Sequence, residues 1–268
     1  MLACRLRILL AFAGGLALSS PSLAGTIQMQ VTTQTEVTPE AAKLTVIIAN
    51  QGDDAALRVA PHLLVGETGR ALQTLPRLAP GESQTLSDEL RPNPFQKGVY
   101  HIPLYVDYED ANGWPLQATH IIEIRNPKGV APSGLAAKIA PQTLVDETRA
   151  TLTLYNSHNA RRTLAVQKVV PSALLLSEFP DEVAIGPTEK LTLPLLLVNK
   201  NALPPSHYRI TIVLADQDSD QHYSEAIPID VDVREGSVPR RTLLMGVLAA
   251  LIFGAAAVVV YSRLSKRS

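Results

Sequence analysis

The 268-residue chain has one cysteine and one tryptophan. The cysteine, Cys4, lies ahead of an apolar stretch near the N-terminus, whereas a bacterial lipoprotein carries its cysteine just after such a stretch. If residues 1–24 are removed, no cysteine remains, which excludes disulfides, thiolate ligands and cysteine nucleophiles. Without disulfides, the remaining chain must be stabilised by its hydrophobic core alone.

Basic residues and catalytic motifs are also scarce. Residues 25–239 hold 17 basic and 25 acidic residues, a net charge of −8, so we expect no nucleic-acid partner. The six histidines form no His-Glu-x-x-His or other close metal-ligand spacing, and there is no Gly-x-Ser-x-Gly elbow or phosphate-binding glycine loop. We therefore predict no catalytic residue, no cofactor and no metal site.

The N-terminus reads as a secretory signal. Arg5 and Arg7 precede an uncharged run from Ile8 to Leu18, and small residues follow at Ser22 and Ala24. This order is typical of a signal peptide over residues 1–24, cleaved after Ala24. The alternative is an uncleaved anchor, although the apolar run is short for a bilayer.

The C-terminus contains a predicted transmembrane helix. Leu243 to Tyr261 is uncharged, and about 20 apolar residues suffice to span a bilayer as a helix. With the middle exported, the basic tail is expected in the cytoplasm, which makes the chain a single-pass inner-membrane protein with periplasmic domains. Small residues at Gly246, Ala250 and Gly254 favour either helix dimerisation or simply a small-residue-rich span.

An internal repeat divides the exported part. Residues 43–50 match residues 149–156 at an offset of 106, residues 78–82 match 185–189 at 107, and Asp110 matches Asp218 at 108. Such a period indicates two tandem modules of about 105 residues. The predicted segments are a signal peptide (1–24), a first domain (26–125), a linker (126–134), a second domain (135–234), a juxtamembrane linker (235–241), a transmembrane helix (242–262) and a basic tail (263–268).

Each module is predicted to be all-β, because alternating, β-branched stretches are separated by turn residues. The Asn112-Gly113 pair predicts a tight hairpin with positive φ at both residues. Six or seven short strands per module indicate tandem immunoglobulin-like sandwiches. The predicted strands of the first module are 27–31, 42–50, 57–65, 83–86, 98–108 and 115–124. Those of the second are 136–139, 150–155, 163–170, 174–177, 190–198, 207–214 and 225–233.

One order of motifs resembles a known family. A strand ends at Asn50 and is followed by a turn with glycine and acidic residues, Gln51-Gly52-Asp53-Asp54. A Leu-x-Pro-Gly-Glu turn comes next at 78–82, and Gly-x-Tyr at 98–100 begins a long strand. This is similar to the bacterial cell-adhesion-related immunoglobulin-like repeats. The second module departs from the pattern, since Ser157 and Asn159 replace the glycine turn and Thr188 stands at the position of Gly81. The resemblance implies a disulfide-free sandwich over residues 26–234 and says little about the bound partner.

Two clusters are candidate sites. Asp216, Asp218 and Asp220 alternate and could hold calcium, but the glycine and distal glutamate of a calcium loop are missing, so a solvated acidic hairpin tip is the alternative. Trp114, next to Asn112 and Gly113, is either an exposed contact anchor or packs across its hairpin.

These observations predict a non-enzymatic, membrane-anchored binding or scaffold protein of the cell envelope, which contacts a protein partner through loops and strand edges. A surface adhesin or structural protein, a membrane-tethered assembly chaperone and an enzyme are the alternatives. Loss of the C-terminal helix, seen by mass spectrometry, would favour the adhesin.

Overall fold

A computed structural model describes residues 26–236 except residues 67, 92, 93, 96, 127–132, 219 and 220. The predicted signal peptide, transmembrane helix and basic tail lie outside these residues, as do Gly246, Ala250 and Gly254. Within the described ranges, no helix has the length and hydropathy needed to cross a bilayer. The regular structure of this part is β-strand, as the sequence predicts.

We refer to residues 26–126 as the first sandwich. One sheet has the order β1-β2-β6, and the other is built on β7, which pairs with β8 on one edge and with β3 on the other. Alternate residues of β2 point between the sheets, so Leu44, Val46 and Ile48 are buried. Its strands are β1 (Met29–Val37), β2 (Ala42–Asn50), β3 (Ala56–Val65), β4 (Thr68–Ala71), β5 (Leu75–Leu78), β6 (Ser83–Leu90), β7 (Gly98–Glu109) and β8 (Pro115–Asn126).

We refer to residues 133–236 as the second sandwich. The sheet β13-β15-β11-β9 faces the sheet β14-β12-β16-β17, and β10 adds in parallel to the end of β17. A separate apolar core, with Leu152, Leu154 and Ile212 among its buried residues, fills the space between them. Its strands are β9 (Leu135–Lys138), β10 (Gln142–Leu144), β11 (Glu147–Asn156), β12 (Arg162–Val169), β13 (Leu174–Ser177), β14 (Glu182–Ile185), β15 (Lys190–Asn199), β16 (Ser206–Asp218) and β17 (Gln221–Val233).

The two sandwiches lie side by side. β7 and β17 run parallel and pair at Gly98 and His222, which makes one continuous sheet of strands from both sandwiches. Further along, the Thr119 hydroxyl donates to the Arg209 carbonyl at 3.1 Å. The end of β7, with the Trp114 hairpin, therefore lies at the same end of the molecule as the end of β17. We call this the exit end, because the chain leaves the second sandwich there.

The repeat predicted from the sequence carries equivalent hydrogen bonds in both sandwiches. The Asn50 side chain is fully buried, donates to the carbonyls of Asp54 and Leu78, and accepts from the Gly52 amide. Asn156 is buried in the same way. It donates to the carbonyls of Ala160 and Gly186 and accepts from the amide of His158.

Thr188 keeps the turn of Gly81 despite the change of residue. Its φ is 51°, and that of Gly81 is 73°, so both lie in the left-handed region. A β-branched residue adopts this region only at a cost in strain. The turn is therefore imposed by the surrounding hydrogen bonds, including that from the Thr188 amide to the His158 carbonyl.

Most predicted strands are present, and their ends differ by a few residues. β2 and β13 have the predicted bounds, whereas the first strand begins at Met29 rather than at 27 and runs on to Val37. Four short strands were not predicted: β4, β5, β10 and β14. Much of the predicted linker, residues 127–132, lies outside the described residues, and the domain bounds stay a prediction.

Candidate binding cleft

A cleft of about 720 Å³ opens between the two sandwiches. It lies along β7 between the pairing with β17 at Gly98 and the pairing with β3, which begins at Leu104. The first sandwich contributes the end of β3 and the start of β7, and the second contributes the outer face of β12, β16 and β17. The cleft thus lies away from the exit end.

A buried polar contact holds the two sandwiches together beside the cleft. The Ser224 hydroxyl of β17 donates to the Val99 carbonyl of β7 at 2.9 Å, and its oxygen lies 2.9 Å from His101 Nδ1. Ser224 is 3 % exposed although its neighbours Tyr223 and Glu225 are only half-buried. Val213 is also buried but belongs to neither core cluster, so it packs in the contact between the sandwiches.

Gly98 permits the close approach of the two strands. Its φ is +152°, and a Cβ there would lie 2.1 Å from the His222 carbonyl oxygen. The His222 amide donates to the Lys97 carbonyl at 3.0 Å. Gly98 opens the Gly-x-Tyr motif of the family resemblance, and the structure shows that it lies where the two sandwiches meet.

One wall of the cleft is aromatic. The Tyr100 and His222 rings stack at 4.2 Å with an interplanar angle of 8°, and Phe95 packs against Tyr100 at 4.9 Å. This stack joins side chains from both sandwiches. Phe95 is itself buried in the core of the first sandwich, so Tyr100 and His222 supply the rigid aromatic surface that a ligand could contact.

The opposite wall is the outer face of the second sandwich. Ala165 and Gln167 of β12 line it, whereas Val166 between them packs against the core of the second sandwich. The Lys168 ammonium pairs with the Asp181 carboxylate at 2.8 Å beside the cleft. Apolar walls with a few fixed polar groups, in a volume of several hundred Å³, are typical of a ligand-binding site. No group of three metal-ligating side chains is found among the residues that the structure describes.

Burial lowers the pKa of three histidines near the contact between the sandwiches. It lowers the pKa of His101 below its usual value, although Glu123 and Glu225 partly oppose this, and Arg125 adds to it. The pKa of His222 is likewise lowered by burial, and that of His120 by burial and by Arg209.

We expect acidification to weaken the contact between the sandwiches. Because the folded pKa values lie below the unfolded value of about 6.5, the neutral histidines contribute stability fully above about pH 6.5. That contribution is lost as the pH falls through this value toward the lowered ones. Hydrogen exchange of the β7 and β17 peptides should therefore accelerate between about pH 7.5 and 5.5 beyond the intrinsic pH effect. A His101→Gln/His222→Gln variant should lose most of this acceleration, and an unchanged acceleration would contradict the prediction.

The predicted Trp114 hairpin is present with a different turn. The Gly113 amide donates to the Asp110 carbonyl, Gly113 has a φ of +78°, and Asn112 has no positive φ. The prediction of positive φ at both residues is therefore wrong: a type I turn followed by a left-handed glycine closes the hairpin. The Asp110 carboxylate accepts from the amides of Asn112 and Trp114, which accounts for this choice.

Trp114 itself is 47 % exposed. It lies far from the cleft, so the structure does not bring it together with the aromatic wall. Its role as a partner contact stays a prediction.

Of the three aspartates at positions 216, 218 and 220, Asp216 forms a buried ion pair and is not a free ligand. Asp216 binds Arg162, whose Nε lies 2.5 Å from its carboxylate. The side chain of Asp218 and all of Asp220 lie outside the described residues, so calcium binding stays untested. Sequence reasoning missed Arg162, because the predicted strand began at residue 163; β12 in fact begins at Arg162, which lies on the same inward face as the buried Leu164.

Comparisons with known proteins support the immunoglobulin-like fold. The CARDB family model matches residues 21–111, about a third of the chain. No curated protein sequence matches. The chain is thus similar to CARDB domains in its first sandwich, which agrees with the resemblance seen in the sequence.

Several solved structures are similar at low identity. A FixG-related protein of Vibrio parahaemolyticus is 16% identical (39% of this chain, 98% of that one, TM-score 0.32). A protein of unknown function from Porphyromonas gingivalis W83 is 14% identical (76% and 99%, TM-score 0.34). The native Escherichia coli alpha-2-macroglobulin is 13% identical (78% and 17%, TM-score 0.31).

Proposed function

We propose that the chain is a non-enzymatic, membrane-anchored binding protein of the cell envelope, and that the cleft between its sandwiches holds a segment of a protein partner. The observation that carries the proposal is the cleft itself. Its walls come from both sandwiches and combine an aromatic stack with apolar strand surface. The CARDB match, to an immunoglobulin-like domain, also supports a binding role.

The shape of the cleft favours an extended polypeptide. The cleft follows β7 between two strand pairings, so a bound segment would run along an existing strand. Addition of a strand gives affinity through main-chain hydrogen bonds, and side-chain pockets give specificity. His101 and Ser224 already bond to each other, so the polar groups deepest in the contact serve the fold.

The proposed location rests on the two chain ends. The signal-like residues 1–24 would export the sandwiches, and the apolar run from Leu243 to Tyr261 would hold them at the inner membrane with the basic tail in the cytoplasm. Loss of the protein from membranes on alkaline extraction would contradict this anchoring.

Site-specific photo-cross-linking in intact cells tests the binding role. A photoreactive residue at Gln167, in the cleft, should yield one reproducible adduct with an envelope protein. The same residue at Tyr155, which is exposed on a different sheet, is the matched control and should not yield it. Recovery of the bare protein from both positions, or of equal adducts, would contradict the cleft as the partner site.

A further inference from the structure

The large exposed apolar side chains of the described residues collect at one end of the molecule. Five such side chains are more than a third exposed: Trp114 (47 %), Val145 (37 %), Tyr155 (42 %), Leu175 (46 %) and Leu203 (69 %). Four of these five lie at or near the exit end. Tyr155 lies at the opposite end, where β11 finishes.

In the second sandwich, pairing and hydrogen bonds place three of them. β10 ends at Leu144 opposite Val233, so Val145 follows directly at the exit end. The Asn199 side chain donates to the carbonyls of Val145 and Ala202, which ties the loop that carries Leu203 to the same place. Leu175 pairs with Val198, one position from the end of β15.

Trp114 reaches the same end from the first sandwich. Thr119 is level with Arg209, as the hydrogen bond between them shows, and the Gln117 side chain accepts from the Ser172 amide at 3.1 Å. Trp114 lies three residues beyond Gln117, about 10 Å along the strand toward the exit end. Both sandwiches thus present apolar side chains on one side of the molecule.

The short stretch of chain between the exit end and the predicted transmembrane helix indicates that the membrane covers this end. Gly236 lies beside Val145, and only residues 237–241 separate it from the predicted transmembrane helix. Six Cα steps reach at most about 20 Å. The headgroup layer on one side of a bilayer takes about 5–8 Å of that distance. The exit end is therefore held within a short distance of the membrane.

From these observations, and resting on the proposed anchoring, we infer that the exit end is a bilayer-contact surface, with Trp114 and Leu203 inserted among the lipid headgroups. Tryptophan is enriched at this level of membranes because its ring is apolar and its N–H is polar. Charged residues of both signs lie next to the patch residues in the chain, among them Asp110, Asp146, Glu147, Lys200, Arg234 and Glu235. The contact is thus driven by apolar insertion into neutral lipid and does not require anionic lipid.

Contact of the exit end with the bilayer would hold the cleft at a fixed height above the membrane. Tyr100 lies about ten residues along β7 and its hairpin from Asp110, which corresponds to about 33 Å of strand. The cleft would then face a partner at a set distance from the membrane, with both sandwiches supporting it.

Tryptophan fluorescence tests this inference, because Trp114 is the only tryptophan. The full chain is reconstituted in phosphatidylcholine nanodiscs with and without a lipid that carries a nitroxide near its headgroup. A side chain about 5–10 Å deep lies within reach of such a quencher, so we expect Trp114 to lose about half of its emission. A Trp114→Phe/Leu203→Trp variant should be quenched similarly, and added salt should not reverse either effect.

Two further variants make the outcomes distinguishable. Trp114→Phe/Tyr155→Trp moves the fluorophore to the far end and should not be quenched. Trp114→Phe/Ala250→Trp places it in the predicted transmembrane helix and reports insertion through lipids brominated deep in their chains. Quenching of the last variant without quenching at Trp114 and Leu203 would overturn the contact surface and leave the anchoring intact. No quenching of the last variant would overturn both.

Discussion

Replacing Arg162 by methionine is expected to lower the free energy of unfolding of the second sandwich by about 3–5 kcal/mol, the cost of breaking a buried ion pair from one side. The Arg162 side chain is 8% exposed. It donates to the Asp216 carboxylate and the Ser133 carbonyl, and its guanidinium lies 5.2 Å from the Tyr223 ring centroid. Methionine keeps much of the apolar stem but leaves both acceptors without this donor.

Urea unfolding of the full chain in mild detergent, followed by hydrogen exchange and mass spectrometry, would report each sandwich separately. With a slope of about 2 kcal/mol/M, the midpoint of the second sandwich should fall by about 2 M. The Arg149→Met variant is the matched control, because Arg149 binds Glu178 through two bonds in an exposed position. It should cost less than about 1 kcal/mol. Equal losses in the two variants would contradict the argument.

The strands that the sequence predicts best are those with a strong alternation. In β2, apolar residues alternate from Ala42 to Ile48, and the predicted and observed bounds agree. β4, β5, β10 and β14 have only three or four residues, too few for alternation to be recognised, and β13, which is equally short, was predicted from its three consecutive leucines instead. Their pairing depends on the neighbouring strand and therefore on the tertiary structure.

The strand β1 shows how pairing overrides side-chain character. Its second half, from Thr32 to Glu36, is polar, yet the pairing with β2 continues to Val37. Hydrogen bonds of the main chain do not depend on the side chains, so polarity alone ended the predicted strand too early.

The cleft could not be predicted, because it depends on which outer faces meet. β16 nevertheless carries a signal: Ile210 to Leu214 are five consecutive buried residues. Four of these five residues are apolar, Thr211 being the exception, and a nearly continuous apolar run is typical of a strand that is covered on both faces. The run indicates that something covers the outer face of β16. The sequence does not identify β7 and β8 of the first sandwich as that cover.

A second large effect is expected at the buried asparagines of the repeat. Asn50→Ala should lower the free energy of unfolding of the first sandwich by about 3 kcal/mol, because the carbonyls of Asp54 and Leu78 and the Gly52 amide each lose a partner. Asn156→Ala should produce a similar loss confined to the second sandwich. The same unfolding experiment measures both.

The isosteric Asn50→Asp variant separates hydrogen bonding from packing. Its carboxylate keeps the acceptor for the Gly52 amide but faces two carbonyls, which raises the pKa of the new carboxyl group in the folded state. The protonated form can donate one hydrogen bond, so its loss of stability should be largest near pH 7 and should shrink, relative to the parent protein, as the pH falls through that raised pKa. The loss caused by Asn50→Ala should show no such dependence. Asn112, whose side chain is exposed, is the control, and Asn112→Ala should cost less than about 0.5 kcal/mol. If Asn50→Ala cost no more than this control, the turn would be maintained by its main-chain bonds, and the repeat would not depend on its asparagines.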